Sequence, residues 1–173
     1  ITHLLRDSKN RFWVGTVNGV CLYTDKDNFR IIPIEADNKN VRQILEDRNG
    51  RIFLNTGFQL YAYHPREEKI TCVLPEISPG NAFYAQCHIA PDNNLWVMTS
   101  TGLRCYDPST LQLKESVALS GYPYYSYLHN NELWITGNHT LSIFDTRTRS
   151  FKPLPQPIAR NTTLCNADID YIH

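Results

Sequence analysis

The sequence predicts an all-β fold, a β-propeller of four consecutive four-stranded antiparallel blades plus the first strand of a fifth. Three observations lead there. Apolar β-branched and aromatic residues alternate with polar ones along most of the chain, and Asn, Asp, Gly or Pro interrupts them roughly every five to ten residues. Trp13, Phe53, Trp96 and Trp134 stand 40, 43 and 38 residues apart, close to the ~40–45 residues of one propeller blade. Around these anchors the same residue class returns at fixed offsets. An aliphatic stands seven places on (Val20, Leu60, Leu103, Leu141) and an aromatic ten places on (Tyr23, Tyr63, Tyr106, Phe144).

Each unit divides into four short strands. The first spans about 1–34, with strands near 1–6, 11–16, 19–24 and 29–34. The second spans 41–74, with strands near 41–46, 51–56, 59–63 and 69–74. The third covers 83–118 (83–90, 94–99, 102–106, 112–118) and the fourth 124–154 (124–129, 132–137, 140–145, 150–154). Asp7 and Asp47 open the first turn of units one and two, where Asp, Asn and Gly cap their own backbone and tolerate positive φ. The third unit is expected to shorten that turn to Asp92, and the fourth to replace it with His129-Asn130-Asn131. Threonine follows the first three anchors at Thr16, Thr56 and Thr99, and Gly137 takes its place in the fourth. One four-stranded sheet cannot bury both faces alone, so the anchors are expected to pack against the next copy. Residues 168–173 look like the opening strand of a further blade, and the chain is expected to be an open arc of a larger, seven-bladed ring.

Composition excludes classes without naming a function. The 173 residues, 20.0 kDa, fit one domain. Seventeen basic and seventeen acidic residues cancel, leaving no electrostatic footprint for nucleic acid or an anionic membrane. No apolar run approaches the ~20 residues of a membrane-spanning helix. The sequence lacks an initiator Met and a basic-then-apolar leader, as in a processed chain or a piece of something longer. Five cysteines without a CxxC pair are not a disulfide framework or zinc ribbon.

Asp47-Arg48-Asn49-Gly50-Arg51-Ile52-Phe53-Leu54-Asn55-Thr56, Arg11-Phe12-Trp13-Val14-Gly15-Thr16-Val17-Asn18-Gly19-Val20 and Thr101-Gly102-Leu103-Arg104-Cys105-Tyr106-Asp107 together resemble the two-component regulator propeller repeat. Unit four departs, with neither the Asp turn nor the Gly-Leu step, and unit two has Phe53 for the Trp. The resemblance implies the periplasmic sensor region of a bacterial hybrid histidine kinase. It also implies oligosaccharide ligands and transcriptional control through kinase, receiver and DNA-binding parts that these residues do not contain. Neighbouring blades or domains of the same chain are implied as partners, as is a homodimer of the full receptor.

Catalytic motifs are absent, and six single histidines lack metal-ligand spacing, so no cofactor, metal or nucleotide is expected. The residues that stand out are Tyr122, Tyr124, Tyr125 and Tyr127. They are either packing between blades, with phenols in the central channel, or a platform for sugar rings. Antiparallel strand direction puts the second-to-third turns and the blade-to-blade connections on one face, and rigid scaffolds concentrate function in such loops. The candidate ligand-binding residues are therefore Asn18, Asp37, Asn38, Asn40, Gln59, the four tyrosines and Asn138. Two rival classes remain: an extracellular propeller enzyme of the polysaccharide-lyase or streptogramin-lyase kind, with His88 and Tyr84 as its only proposable pair, and a pure interaction scaffold.

Overall fold

The computed structural model describes residues 1–23, 28–35, 38–76, 85–138 and 140–160. The expected fifth-blade strand at 168–173, Asp37 and Tyr84 lie outside them. Blade one is β1 (His3–Arg6), β2 (Phe12–Thr16), β3 (Gly19–Tyr23) and β4 (Phe29–Ile32). Blade two is β5 (Gln43–Glu46), β6 (Ile52–Asn55), β7 (Leu60–His64) and β8 (Lys69–Leu74). Blade three is β9 (Gln86–Ile89), β10 (Leu95–Thr99), β11 (Gly102–Tyr106) and β12 (Leu113–Ala118). Blade four is β13 (Pro123–His129), β14 (Glu132–Gly137), β15 (Thr140–Asp145) and β16 (Ser150–Lys152). Each blade is a four-stranded antiparallel meander, and the four stand in a propeller arrangement. One helical turn, α1 (Gln156–Ala159), follows; the strand pattern did not foretell it.

Stacking explains the strand sequences. A strand with a blade on both sides has no solvent face, so β6 and β10 are buried at every position and read as continuous apolar runs. The outer strands β4, β12 and β16 are mostly exposed. Three separate cores fill the three blade interfaces. Trp13, Leu22 and Ile32 meet Ile44, Leu54, Tyr61 and Tyr63; Phe53 and Leu60 meet Cys87, Leu95, Val97 and Tyr106; Trp96, Met98 and Leu103 meet Leu133, Ile135 and Phe144. The anchor of one blade packs edge-on against the offset-ten aromatic of the next, with Trp13–Tyr63 centroids 4.8 Å apart and Trp96–Phe144 5.1 Å.

Two expectations need correction. Trp134 was expected to be buried like the other anchors, but it is only half-buried. Its register, opposite Tyr127 and Ile143, puts it on the face of blade four that turns away from blade three, and among the described residues no blade covers that face. Blade one mirrors this on its outer face, where Leu4, Phe12, Phe29 and Ile31 are exposed. The first turn of unit three is not shortened either. Asn93 N–H bonds Ala90 O and Ala90 N–H bonds Asn94 O, the same pattern that Asp7 makes with Asn10 and Arg11. Ala90, not Asp92, therefore holds the aspartate's position. The consequence is local: Asp7 Oδ2 accepts the Trp13 indole N–H at 2.9 Å, whereas the buried Trp96 Nε1 has no partner.

A lacing along the inner strands was not foreseen. Ile44 N–H donates to His3 Nδ1 at 3.3 Å, Cys87 N–H to Gln43 Oε1 at 2.9 Å, and Ser126 N–H to Gln86 Oε1 at 2.7 Å. His3, Gln43 and Gln86 each stand ten residues before an anchor, and each side chain bonds the backbone of the next blade's inner strand. The recurring threonines have a different task. Thr16, Thr56 and Thr99 Oγ1 donate to the carbonyls of Gly19, Gln59 and Gly102, closing the turn after each second strand. Gly137 replaces threonine because a Cβ there would lie 2.6 Å from the Tyr122 carbonyl oxygen.

Candidate functional site

The meander places Asn18, Gln59, Thr101 and Asn138 in the turns between second and third strands, on the same face as the blade-to-blade connections. On that face a cleft of about 630 Å³ opens between blade two and the connection from blade one, lined by Pro33, Ile34, Glu35, Lys39, Gln59, Tyr61 and Cys72. Its shape follows from one irregular contact. After β4 the chain does not turn outward at once; Ile34 forms a parallel bridge with Ile70 of β8 and carries Glu35 across the edge of blade two. Tyr61 lies on the β7 face that packs against blade one and also lines the cleft, and its hydroxyl donates to Gln59 Oε1 at 2.7 Å. Glu35 and Lys39 are exposed at the rim with opposite charges. An amide, a phenol and a charged pair over aliphatic walls suit a neutral, hydroxyl-rich ligand better than an apolar one.

Of the candidate residues, Gln59 lines this cleft. Asn38 Oδ1 accepts the Asn40 N–H at 3.0 Å in the connection between blades one and two, while Asn40 Oδ1 is buried without a partner. Asn18 and Asn138 are exposed in turns of blades one and four, and Asn138 N–H donates to Tyr122 O. The tyrosine cluster divides. Tyr122 packs against the core between blades three and four, 6.2 Å from Tyr124 by ring centroids. Tyr125 and Tyr127 share the opposite face with Trp134. Alternation forces this separation, because neighbours in a strand point to opposite faces, so the four rings form no single platform.

Tyr61 and Cys72 were missed from sequence, while Lys39 lies in the 35–40 connection that strand direction puts on this face. Tyr61 had a usable signal: it stands two residues after Gln59, and residues two apart in a strand share a face. Cys72 carries no pattern of its own. Burial pushes the Cys72 thiol pKa up, more than the Leu74 backbone hydrogen bond lowers it, so the thiol stays protonated.

A second groove of about 470 Å³ lies on the opposite face, over Ile89, Ala90, Pro91 and Leu128 and between the first turns of blades two and four. Its carboxylates are already engaged. Glu46 accepts the Ser8 N–H and hydroxyl at 2.7 and 2.6 Å, and Asp47 Oδ1 accepts the Asn49 and Arg51 N–H groups. His88, the base of the enzyme alternative, is held in the interface of blades three and four, with Nε2 2.8 Å from Ser126 Oγ. Burial lowers its pKa to about 4, so the ring is neutral near pH 7. Among the described residues no three His, Cys, Asp or Glu side chains converge as metal ligands, and no helix is long and apolar enough to cross a membrane.

The architecture is that of a β-propeller, and solved structures share the fold. The extracellular domain of the hybrid two-component system BT4673 from B. thetaiotaomicron superposes with a TM-score of 0.71 at 15% identity, over 96% of this chain and 24% of that one. The corresponding domain of BT3049 from the same organism gives 0.67 at 20% identity, over 99% of this chain and 24% of that one. Virginiamycin B lyase from Staphylococcus aureus gives 0.67 at 17% identity, over 91% and 56%. The chain thus spans about a quarter of the two sensor domains' length, and at these identities the likeness establishes the fold. No protein-family model matches the chain, and no curated protein matches it.

Proposed function

We propose that this chain is a non-catalytic ligand-binding segment of an extracellular or periplasmic sensor propeller in a hybrid two-component signalling protein, responding to oligosaccharides. The observation that carries the reading is the cleft of Gln59, Tyr61, Glu35 and Lys39 on the connection face of a fold shared with two such extracellular domains. Its walls come from blade two and from the connection that leaves blade one, so a bound ligand would bias how that connection, and blade one with it, packs on blade two. That bias is the form in which a rigid module transmits binding, as a shift between packed states. Kinase, receiver and DNA-binding parts would turn the shift into transcriptional control, and neighbouring blades or domains would receive it first. The experiment is calorimetric titration of the full chain with a panel of neutral oligosaccharides. At least one is expected to bind, with Gln59→Ala weakening it about ten-fold through loss of a hydrogen bond. A panel without binders, or a binder indifferent to Gln59→Ala and Tyr61→Phe, counts against the cleft.

The lyase fold supports a second reading, catalysis at His88. Its half-buried imidazole, engaged by Ser126, favours a structural role, and product formation separates the two readings.

A further inference from the structure

The three inner-strand laces occupy equivalent positions, yet they differ in one respect. Gln43 and Gln86 accept a backbone N–H through amide oxygens that do not titrate. His3 accepts the Ile44 N–H through Nδ1, which is an acceptor only while that nitrogen carries no proton. In the imidazolium both ring nitrogens are donors, so Nδ1–H and the Ile44 N–H would point at each other.

Ile44 is linked to the cleft by register. It lies opposite Leu54 in β6, and Leu54 lies opposite Tyr61 in β7, so His3, Ile44, Leu54 and Tyr61 form one row running from blade one to the cleft wall. The connection that carries Glu35 and Lys39 returns at Val41, whose N–H donates to Thr16 O at 3.0 Å and whose carbonyl accepts the Thr2 hydroxyl. These bonds and the Trp13–Tyr63 core do not involve His3. Its loss would loosen the joint without separating the blades.

We propose that His3 is an acid-sensitive latch on the joint between blades one and two, and that its protonation loosens the cleft wall at Tyr61. The functional weight of the latch rests on the proposal that this cleft binds ligand.

The surrounding charges agree with a switch driven by the ring itself. The charged residues flanking Ile44 at two-residue spacing are Arg42, just before β5, and Glu46 at its end, and Glu46 is engaged by Ser8. From blade one, Asp7 and Arg11 pair with each other at 2.6 Å, and the Ile1 amine is exposed. No carboxylate hydrogen-bonds the His3 ring among the described residues. Burial lowers the His3 pKa below its ordinary 6.5, so the latch is closed at neutral pH and opens as the pH falls through that lowered value.

The test is amide hydrogen exchange and ¹H–¹⁵N NMR of the full chain across about pH 7.5 to 5, corrected for intrinsic exchange. Ile44 protection is expected to fall about ten-fold more than that of Cys87 as the His3 ring titrates, with the Tyr61 ring signals moving in step. In His3→Gln, which copies Gln43 and Gln86, both changes should vanish. Ile44 protection that stays flat while His3 titrates overturns the latch, as does an unchanged pH response in His3→Gln. Should His3→Gln fail to fold, the wild-type comparison of Ile44 with Cys87 decides alone. None of these readouts needs a ligand, so an absence of oligosaccharide binding defeats the cleft and leaves the latch to be judged separately.

Discussion

At the residue scale, two tryptophans in the same place of the same repeat have different surroundings. Trp13 donates to Asp7, whose carboxylate also accepts the Lys9 and Arg11 backbone N–H groups and the Arg11 guanidinium. Burial pushes the Asp7 pKa up, but the Trp13 and Arg11 hydrogen bonds outweigh it and hold the carboxyl below its ordinary value. Trp96 has Ala90 where that carboxylate would stand. Trp13→Phe removes a charge-assisted hydrogen bond and leaves a buried acceptor short of a donor, whereas Trp96→Phe removes a donor that had no partner. Trp13→Phe is therefore expected to destabilise by about 1–2 kcal/mol more than Trp96→Phe, read from paired urea melts. Equal losses would mean that the Asp7 contact contributes nothing. Gly137→Ala is a second case. Its Cβ would enter the space of a backbone carbonyl that cannot swing away, and a cost of about 1–3 kcal/mol is expected. A thermal midpoint unchanged from wild type would show that the Tyr122 backbone yields freely.

At the element scale, strand positions were legible because stacking imposes a strong pattern: apolar runs in β6 and β10, turn residues between strands, an aromatic anchor per unit. The register of the first turns was not. Asp92 looked like a displaced Asp47, since sequence shows an aspartate but not the backbone bonds that define its place, and those bonds point to Ala90. The inner-strand lacing was visible in principle as His3, Gln43 and Gln86 at one offset. Polar residues in a strand carry no hydrophobic period, however, and their partners lie about forty residues away. His88 belongs to the same layer, and its effect can be measured. Its pKa falls from 6.5 in the open chain to about 4 on folding, so the unfolded chain takes up the proton first as pH drops. Its contribution is complete above about pH 6.5 and is lost as the pH falls toward 4, by up to ~3 kcal/mol. The His88→Gln variant, which retains a donor toward Ser126, should show a flatter decline of melting temperature across that range. An identical decline in both proteins would place the acid sensitivity elsewhere.

At the scale of the whole molecule, each of the first three anchors packs into the core it shares with the next blade, Trp13 and Trp96 on that blade's aromatic, and Trp134 is left half-buried with no described blade beyond it. The face that carries the cleft was legible from strand direction alone. Its position between blade two and the connection from blade one was not, because the Ile34–Ile70 bridge that shapes it has no sequence signature. The tyrosine cluster drew attention by composition, and alternation divides it between two faces. The proposed function rests on the cleft binding without chemistry. The most direct measurement is mass spectrometry of ligand recovered after equilibration with the full chain, applied to an oligosaccharide that binds by calorimetry and to a streptogramin. Recovered oligosaccharide of unchanged mass beside a saturable binding isotherm, with the streptogramin intact, is the predicted result. Time-dependent cleavage of either compound, abolished by His88→Ala in a chain that still folds, would contradict the account and make the protein an enzyme.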